Sequence, residues 1–378
     1  MSLLRKIEKP VGDFSLNLFK YLIPPQASNP VVIDPADVKN ILVVLRHRMG
    51  DFLCATPMMR SLRILYSGAK IILVTKASTN YGQIFKNDKS LADEVYYFEN
   101  GFENFINLVK DLREKKPDIA VIPSTVVFSA TNHLIAYFSR AKIRAGVNSF
   151  DYNDNKVSYL LNVKKDFLWE SHKIHQIERN SDIIRQIGLE PPEKRIRINI
   201  NSEAAGFAEK IFSEKFPDKS RPVIGFHPGA GKPGNTWSPE KFAELSTQLK
   251  REYNSYIFIS EGPYDKSYVD KMILSVNDHD DLKDYYRHRG TIQNNLALIN
   301  KLSLFVTNDT GIMHLASGLE NLRLISLFGP TNAYEWGPLG DNKRAIQSSS
   351  KDINKLLTGI VFETCKSLLK DMKISKTG

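Results

Sequence analysis

Short apolar stretches alternate with amphipathic stretches along most of this chain, and this alternation limits its possible folds more than any other feature. The apolar stretches include ILVVLR (41–46), KIILVTK (70–76), PDIAVIPS (117–124), PVIGFHPGA (222–230), SYIFISEGP (255–263), LFVTND (304–309) and LRLISLFGPT (322–331). Segments with helical periodicity, such as GDFLCATPMMRSLRILY (50–66), separate them. Short buried strands joined by helices form parallel sheets with helices on both faces. We therefore predict an α/β fold with doubly wound, Rossmann-like parallel sheets.

The chain is long enough for two such sheets. Its 378 residues exceed what one ordinary core holds. The stretch from about 150 to 220 is more polar and contains Pro191 and Pro192, which is typical of an interdomain passage. We predict an N-terminal segment at 1–30, one domain at 31–205, a second at 206–345 and a C-terminal helical segment at 346–378.

The charge balance favours an anionic partner. Lys and Arg number 52 against 42 Asp and Glu, a net charge of +10. The surplus is spread along the chain, and neither a helix-turn-helix pattern nor an aromatic-basic platform stands out, so we predict no nucleic-acid partner. Cys54 and Cys365 lie far apart and indicate neither a disulfide framework nor a metal site.

The N-terminal segment combines basic and apolar residues. The stretch DFSLNLFKYLIPP (13–25) suits a short helix that begins at Asp13 and stops at the proline pair, and Arg5, Lys6, Lys9 and Lys20 add positive charge. Two interpretations stay open: a helix that rests on anionic lipid, or one that packs on its own domain. No stretch is long and apolar enough for a membrane span or a secretory signal, so we expect a cytoplasmic protein.

The stretch LRHRMGDFLCATP (45–57) places charged residues where a strand gives way to a helix. Arg46 and Arg48 form a basic turn, and Gly50 permits a tight bend before Asp51. A carboxylate at this point is able to accept a proton from a substrate hydroxyl. It is equally able to cap the helix. The residues alone leave both roles open.

Two further turns suit an anion. In IGFHPGAGKPGNTWSPEKF (224–242), a loop with three glycines and Lys232 offers backbone N–H groups to phosphate, although a plain connecting loop is the simpler interpretation. In FVTNDTGIMHLASG (305–318), Asp309, Thr310 and Gly311 stand between a strand and a helix. Free N–H groups at a helix start bind diphosphates well. His314, one turn later, is either a donor to the ligand or a core histidine.

Taken together, these stretches resemble glycosyltransferase family 9, the ADP-heptose:lipopolysaccharide heptosyltransferases. The resemblance spans about residues 41–339 and rests on RMGDFLCATPMMRSLR, HPGAGKPGNTWSPEKFAEL, VTNDTGIMHLA and LFGPTNAYEWGP in this order. It implies a GT-B arrangement in which two Rossmann-like domains face a cleft, the first for the acceptor and the second for a nucleotide-sugar. It also implies that the C-terminal helix packs back on the N-terminal domain.

The resemblance assigns roles to individual residues. It implies that Asp51 is the catalytic base of an inverting transfer and that Asp309, Thr310, Gly311 and His314 bind the donor. Lys232 and Asn235 belong to the same donor site, with Asn235 standing where the family usually has a lysine that neutralises phosphate. No tightly bound metal or other cofactor is implied.

The implied partners are ADP-heptose and an anionic, lipid A-linked core oligosaccharide met by Arg46 or Arg48. Peripheral contact with the cytoplasmic face of the inner membrane would follow from such an acceptor. Two alternatives remain at this stage: a transferase that uses another nucleotide-sugar for a surface glycan, and a protein that binds nucleotide-sugar without turnover.

Overall fold

The computed structural model describes residue 23 and residues 34–85, 88–170, 173–276 and 284–370. Apart from Ile23, the predicted N-terminal segment at 1–30 lies outside the described residues. Two compact units are present. Of the described residues, the first unit contains 34–80, 88–170 and 176–194, and the second contains 81–85, 173–175, 195–276 and 284–370.

The first unit is built on a mostly parallel sheet of seven strands in the order β3-β2-β1-β4-β5-β6, with β7 also paired to β5. Only the short β5–β6 pairing is antiparallel. The strands are β1 Asn40–Val44, β2 Lys70–Thr75, β3 Glu94–Tyr97, β4 Ile119–Val121, β5 Ile143–Phe150, β6 Asn153–Asp154 and β7 Val163–Phe167. The helices of this unit are α1 Met49–Leu65, α3 Phe102–Lys115, α4 Ala130–Phe138 and α5 Gln176–Arg185.

The second unit repeats this winding in a six-stranded parallel sheet of order β10-β9-β8-β11-β12-β13. Its strands are β8 Val223–His227, β9 Tyr256–Ser260, β10 Tyr285–His288, β11 Leu304–Asn308, β12 Leu324–Phe328 and β13 Lys343–Gln347. Its helices are α2 Tyr81–Ile84, α6 Ser202–Lys215, α7 Pro239–Tyr253, α8 Lys266–Leu274, α9 Ile292–Asn300, α10 Gly311–Ser317, α11 Ala333–Trp336 and α12 Thr358–Leu369. The predicted α/β class with doubly wound parallel sheets is confirmed.

The winding determines where ligands bind. In each sheet the strand order reverses direction at one point, between β1 and β4 in the first and between β8 and β11 in the second. Open α/β sheets bind ligands at such points, outside the carboxyl ends of the strands. The motifs around Asp51, Lys232 and Thr310 follow three of these strands, β1, β8 and β11, and the motif LFGPTNAYEWGP follows the neighbouring strand β12.

The last helix belongs to the second unit. Val361, Cys365, Leu368 and Leu369 of α12 are buried in the core of that unit together with Ile224 and Leu304. Its apolar face therefore covers the second sheet, and the expectation that this helix packs back on the N-terminal domain stays a prediction. The unit boundary also falls near residue 195 rather than 205, since α6 packs against α9 of the second unit.

Several strands were missed because they carry buried charge. In β5, Arg144 donates from Nε to the Leu160 carbonyl oxygen at 2.8 Å and from Nη1 to Ala141 O at 2.7 Å. In β13, Lys343 donates from Nζ to Leu319 O at 2.7 Å. Such partners allow a charged side chain to be buried, whereas the sequence alone suggests a polar, exposed stretch.

Candidate functional site

The glycine loop after β8 is held against the end of β11 by one buried asparagine. Asn308 donates from Nδ2 to the carbonyl oxygens of Pro228 (3.0 Å) and Gly229 (3.3 Å). Its Oδ1 accepts a hydrogen bond from the backbone N–H of Trp237 at 3.0 Å. Both ends of the loop are therefore held by the last residue of β11.

Asn235 forms the second link between these loops. Its Nδ2 donates to Asp309 Oδ2 at 2.8 Å and to Thr331 Oγ1 at 3.2 Å, and the residue is 5% exposed. The structure thus brings together three polar residues from three loops, after β8, β11 and β12. Burial raises the pKa of Asp309, while the hydrogen bond with Thr331 and the charge of Lys232 act in the opposite direction.

The start of α10 presents a hydroxyl that lacks a partner. Thr310 is the N-cap residue, but its side chain makes no capping hydrogen bond. Its Oγ1 is buried and has no hydrogen-bond partner among the residues that the structure describes. An unsatisfied buried hydroxyl is costly. Next to the free N–H groups of a helix start, it suits a bound anion such as phosphate.

His314 lies one turn into α10 and is enclosed. Its ring meets the ring of Trp336 edge-on, with 5.9 Å between centroids. Burial, with a smaller effect of His175, lowers the pKa of His314 to about 3. The imidazole is therefore neutral at physiological pH, and both interpretations of this residue, ligand donor and core histidine, stay open.

Lys232 is exposed on the glycine loop and contributes positive charge next to Asp309. The neighbouring His227 and Asp265 were missed by the sequence analysis. Asp265 accepts from the Gly262 N–H at 3.0 Å and lies 3.4 Å from His227 Nε2. A Cβ on Gly229 would collide with the Asp265 carboxylate, which explains a glycine there. Only the fold brings Asp265 to this loop.

In the first unit, Arg46 is largely committed to the protein itself. It donates from Nε to Phe98 O at 3.0 Å and from Nη2 to Glu99 O, and its guanidinium carbon lies 4.6 Å from the centroid of the Phe98 ring. These contacts tie the ends of β1 and β3 together. An acceptor contact by Arg46 would have to compete with them, so Arg48 is the better placed of the two predicted residues.

Arg48 and Asp51 stand at the start of α1, directly after β1. Arg48 is exposed and occupies the N-cap position, and Asp51 follows half-buried in the first turn. Arg48 makes no side-chain capping bond. The preceding His47 has a buried Nε2 without a hydrogen-bond partner in the described part of the chain, and burial is the main cause that lowers its pKa to about 4.

No group of three or more His, Cys, Asp or Glu side chains within 34–85, 88–170, 173–276 and 284–370 is arranged to hold a metal ion. The expectation of a metal-independent protein stays a prediction. None of the helices in these ranges is long and apolar enough to cross a bilayer.

We expect three histidines, the buried His133 and His314 and the half-buried His47, to make stability sensitive to acid. Burial lowers the pKa of His47 and His133 to about 4 and that of His314 to about 3. Between the ordinary histidine pKa of 6.5 and these lowered values, the unfolded chain binds more protons than the folded chain. The free energy of unfolding is therefore highest above pH 6.5 and falls as the pH drops. We expect each histidine to lower the free energy of unfolding by about 2 kcal/mol at pH 5. The raised pKa of Asp309 acts in the opposite direction.

Urea unfolding at pH 7.5 and at pH 5 tests this expectation. His314→Phe keeps an aromatic ring against Trp336 and removes one titrating group, so the variant should lose about 2 kcal/mol less than the parent between the two pH values. An equal loss in both proteins would show that His314 does not contribute to acid sensitivity.

Comparison with known proteins identifies the family of this chain. The model of glycosyltransferase family 9 (heptosyltransferase) matches residues 105–359, more than half of the chain. The chain belongs to this family. It is 24% identical over 330 residues to lipooligosaccharide heptosyltransferase 2 of Haemophilus influenzae, a match that covers 85% of this chain and 92% of that protein.

Two solved structures share the fold of this family 9 glycosyltransferase. The family 9 glycosyl transferase of Veillonella parvula aligns with a TM-score of 0.75 at 18% identity and covers 91% of this chain and 100% of its own. The Escherichia coli ADP-heptose lps heptosyltransferase II aligns with a TM-score of 0.70 at 22% identity, over 88% and 98% of the two chains. The resemblance seen in the motifs is confirmed, and the chain is a glycosyltransferase.

Proposed function

We propose that this glycosyltransferase moves a heptose from ADP-heptose to the lipid A-linked core of a lipopolysaccharide, with inversion at the anomeric carbon. The names of the Haemophilus and Escherichia coli proteins support heptose, ADP and this class of acceptor. The observation that supports the donor half is the hydroxyl of Thr310, which is buried without a partner among the described residues and stands at the start of α10. The neighbouring glycine loop is held by Asn308.

The proposed chemistry assigns roles to Asp51 and to Thr310. The acceptor hydroxyl attacks the anomeric carbon, its proton passes to Asp51, and the bond to the nucleotide diphosphate breaks on the opposite side of the carbon. Negative charge grows on the departing diphosphate. The Thr310 hydroxyl and the N–H groups at the start of α10 would stabilise that charge, since donors aimed at developing charge are strong contributors to rate.

Lys232 is the proposed source of positive charge in the donor site. Asn235 stands at the position of the usual family lysine, and its amide already holds Asp309 and Thr331. A lysine at position 235 would replace the amide that makes these two hydrogen bonds. Lys232, which is exposed on the same loop five residues after His227 at the end of β8, would supply the charge instead.

The acceptor suggests where the protein works. A lipid A-linked acceptor is made at a membrane surface, so we propose a cytoplasmic protein that touches the cytoplasmic face of the inner membrane. Arg48 would meet the anionic core oligosaccharide, and the basic segment at 1–30 would contact lipid.

Thermal melting with ADP, UDP, GDP and CMP, each in excess, tests the donor. A ligand at about 100 times its Kd stabilises the folded state by about 2.7 kcal/mol. We expect ADP alone to raise the Tm clearly. A shift with UDP or GDP instead would keep a glycosyltransferase but replace heptose as the donor sugar, and no shift with any nucleotide would contradict the proposed donor site.

A further inference from the structure

The loops after β8, β11 and β12 bring three oxygen-bearing side chains to one point of the second unit. Asn235 Nδ2 lies 2.8 Å from Asp309 Oδ2 and 3.2 Å from Thr331 Oγ1. An amide, a carboxylate and a hydroxyl therefore meet within hydrogen-bond distance of a single atom. Oxygens of these kinds are the ligands that Mg²⁺ and similar hard cations prefer in proteins.

The amide of Asn235 is able to offer either of its ends to this point. With Nδ2 turned toward Asp309 it donates a hydrogen bond, as in the structure. A half-turn of the amide exchanges Nδ2 for Oδ1, and the two ends have nearly the same shape. Asn235 would then place a third oxygen beside those of Asp309 and Thr331. The same three side chains thus suit a hydrogen-bond network without a cation and a set of oxygen ligands with one.

The negative charge of Asp309 is not balanced by the side chains in contact with it. In the part of the chain that the structure describes, the two side chains bonded to its carboxylate, Asn235 and Thr331, are neutral. Lys232 acts on the carboxylate through space, from an exposed position on the glycine loop. Burial raises the pKa of Asp309 in spite of these favourable effects. A cation in contact with the carboxylate would remove the cost of this burial.

A nucleotide diphosphate beside Asp309 would add to the excess of negative charge. The diphosphate of a nucleotide-sugar carries two negative charges, and the carboxylate of Asp309 contributes a third. Lys232 supplies one positive charge. Like charges repel strongly in a site that is partly shielded from water. The remaining difference equals the charge of one divalent cation.

Mg²⁺ fits this ligand set better than a transition metal does. It is usually bound through one or two carboxylates together with substrate phosphates, and it keeps several of its waters. Imidazole and thiolate ligands favour zinc, copper or iron instead. No group of three or more His, Cys, Asp or Glu side chains is arranged as a metal site within the described ranges. This agrees with an ion that takes most of its ligands from nucleotide and water.

We propose that Asp309, Asn235 and Thr331 bind a divalent cation, Mg²⁺ by its chemistry, together with the diphosphate of the nucleotide. The ion would enter with the nucleotide, because three protein oxygens are too few to hold Mg²⁺ tightly. This inference rests on the proposed function and adds a cation to its donor site. It departs from the expectation of a metal-independent protein, because position 235 places a neutral amide against the carboxylate of Asp309.

Calorimetric titration of the full-length protein with ADP tests the cation. One titration contains MgCl₂ in excess over ADP, and the other contains EDTA at the same ionic strength. Asn235→Lys places an ammonium group near Asp309 and so supplies the charge that the ion would bring. Asn300→Lys is the matched control, since it adds the same charge at an exposed position at the end of α9, outside the three loops.

We expect the parent and the Asn300 variant to bind ADP about 10- to 100-fold more tightly in MgCl₂ than in EDTA. The Asn235 variant should bind ADP in EDTA about tenfold more tightly than the parent and gain less than about threefold from MgCl₂. Equal affinity of the parent in both buffers would overturn the proposal, whether or not the Asn235 variant folds. An equal effect of MgCl₂ on the parent and the Asn235 variant would place the ion on the nucleotide alone and would also overturn it.

Asp309→Asn gives a second test of the same ion. Asparagine keeps the size of the side chain and removes both the charge that repels the diphosphate and the carboxylate that would bind the cation. This variant should bind ADP with nearly the same affinity in MgCl₂ and in EDTA. A benefit from MgCl₂ as large as that of the parent would contradict the role of Asp309 as a ligand.

Titrations with UDP and GDP in the same two buffers separate this proposal from the proposed function. If ADP binds equally well with and without Mg²⁺, the cation alone is wrong and the donor assignment stands. If UDP or GDP binds in place of ADP and needs Mg²⁺, the donor assignment fails and the cation stands. Binding of none of these nucleotides in either buffer would contradict the proposed donor site, and this inference with it.

Discussion

Replacing Asp51 with asparagine should lower the rate of sugar transfer about 10²–10⁴-fold, the usual contribution of a general base. The amide keeps the size of the carboxylate and its place in the first turn of α1, but it cannot accept the proton of the acceptor hydroxyl. Donor binding should change little, because the donor residues belong to the other unit. The measurements are single-turnover transfer from ADP-heptose and the affinity for ADP.

Glu103→Gln provides a matched control for this experiment. Glu103 is also an acidic residue in the first turn of a helix of the first unit, at the start of α3, and it is exposed. Its replacement should leave transfer unchanged. Transfer by the Asp51→Asn variant at the parent rate would remove Asp51 as the base and leave helix capping as its role.

Thr310→Val should weaken ADP binding about 10- to 100-fold, the loss expected for one hydrogen bond to a charged group. Valine has nearly the shape of threonine, and the hydroxyl it removes is buried without a partner among the described residues. The unliganded variant should therefore keep its stability or gain about 1 kcal/mol. Titration calorimetry with ADP and urea unfolding without ligand measure the two effects.

Thr307→Val is the control on the same strand. Thr307 is fully buried in β11, and its hydroxyl donates to Asn308 O at 3.1 Å. Its replacement should cost about 1 kcal/mol of stability and leave ADP affinity unchanged. Unchanged affinity in the Thr310 variant would mean that this hydroxyl does not touch the diphosphate.

The tertiary structure shows that two predicted site residues have partners distant in the chain. In the sequence, Asn235 stands where the family usually has a phosphate-binding lysine. In the structure its amide bonds to both Asp309 and Thr331, and Thr331 lies 96 positions from Asn235. Arg46 looked like an acceptor ligand, yet its donors reach Phe98 and Glu99 at the end of another strand. No local pattern reports such bonds, because they arise only when separate strands end at the same edge.

The sequence by itself determined the alternation of strands and helices and hence the two parallel sheets, because burial of a short strand between helix layers requires an apolar run of that length. It also determined that Asp51, Thr310 and the glycine loop follow strands. Only the tertiary structure decided where α12 packs and how β5 and β13 bury charged residues. These features depend on contacts between segments far apart in the chain. Burial of apolar side chains places α12, and carbonyl oxygens supplied by other segments allow Arg144 and Lys343 to be buried.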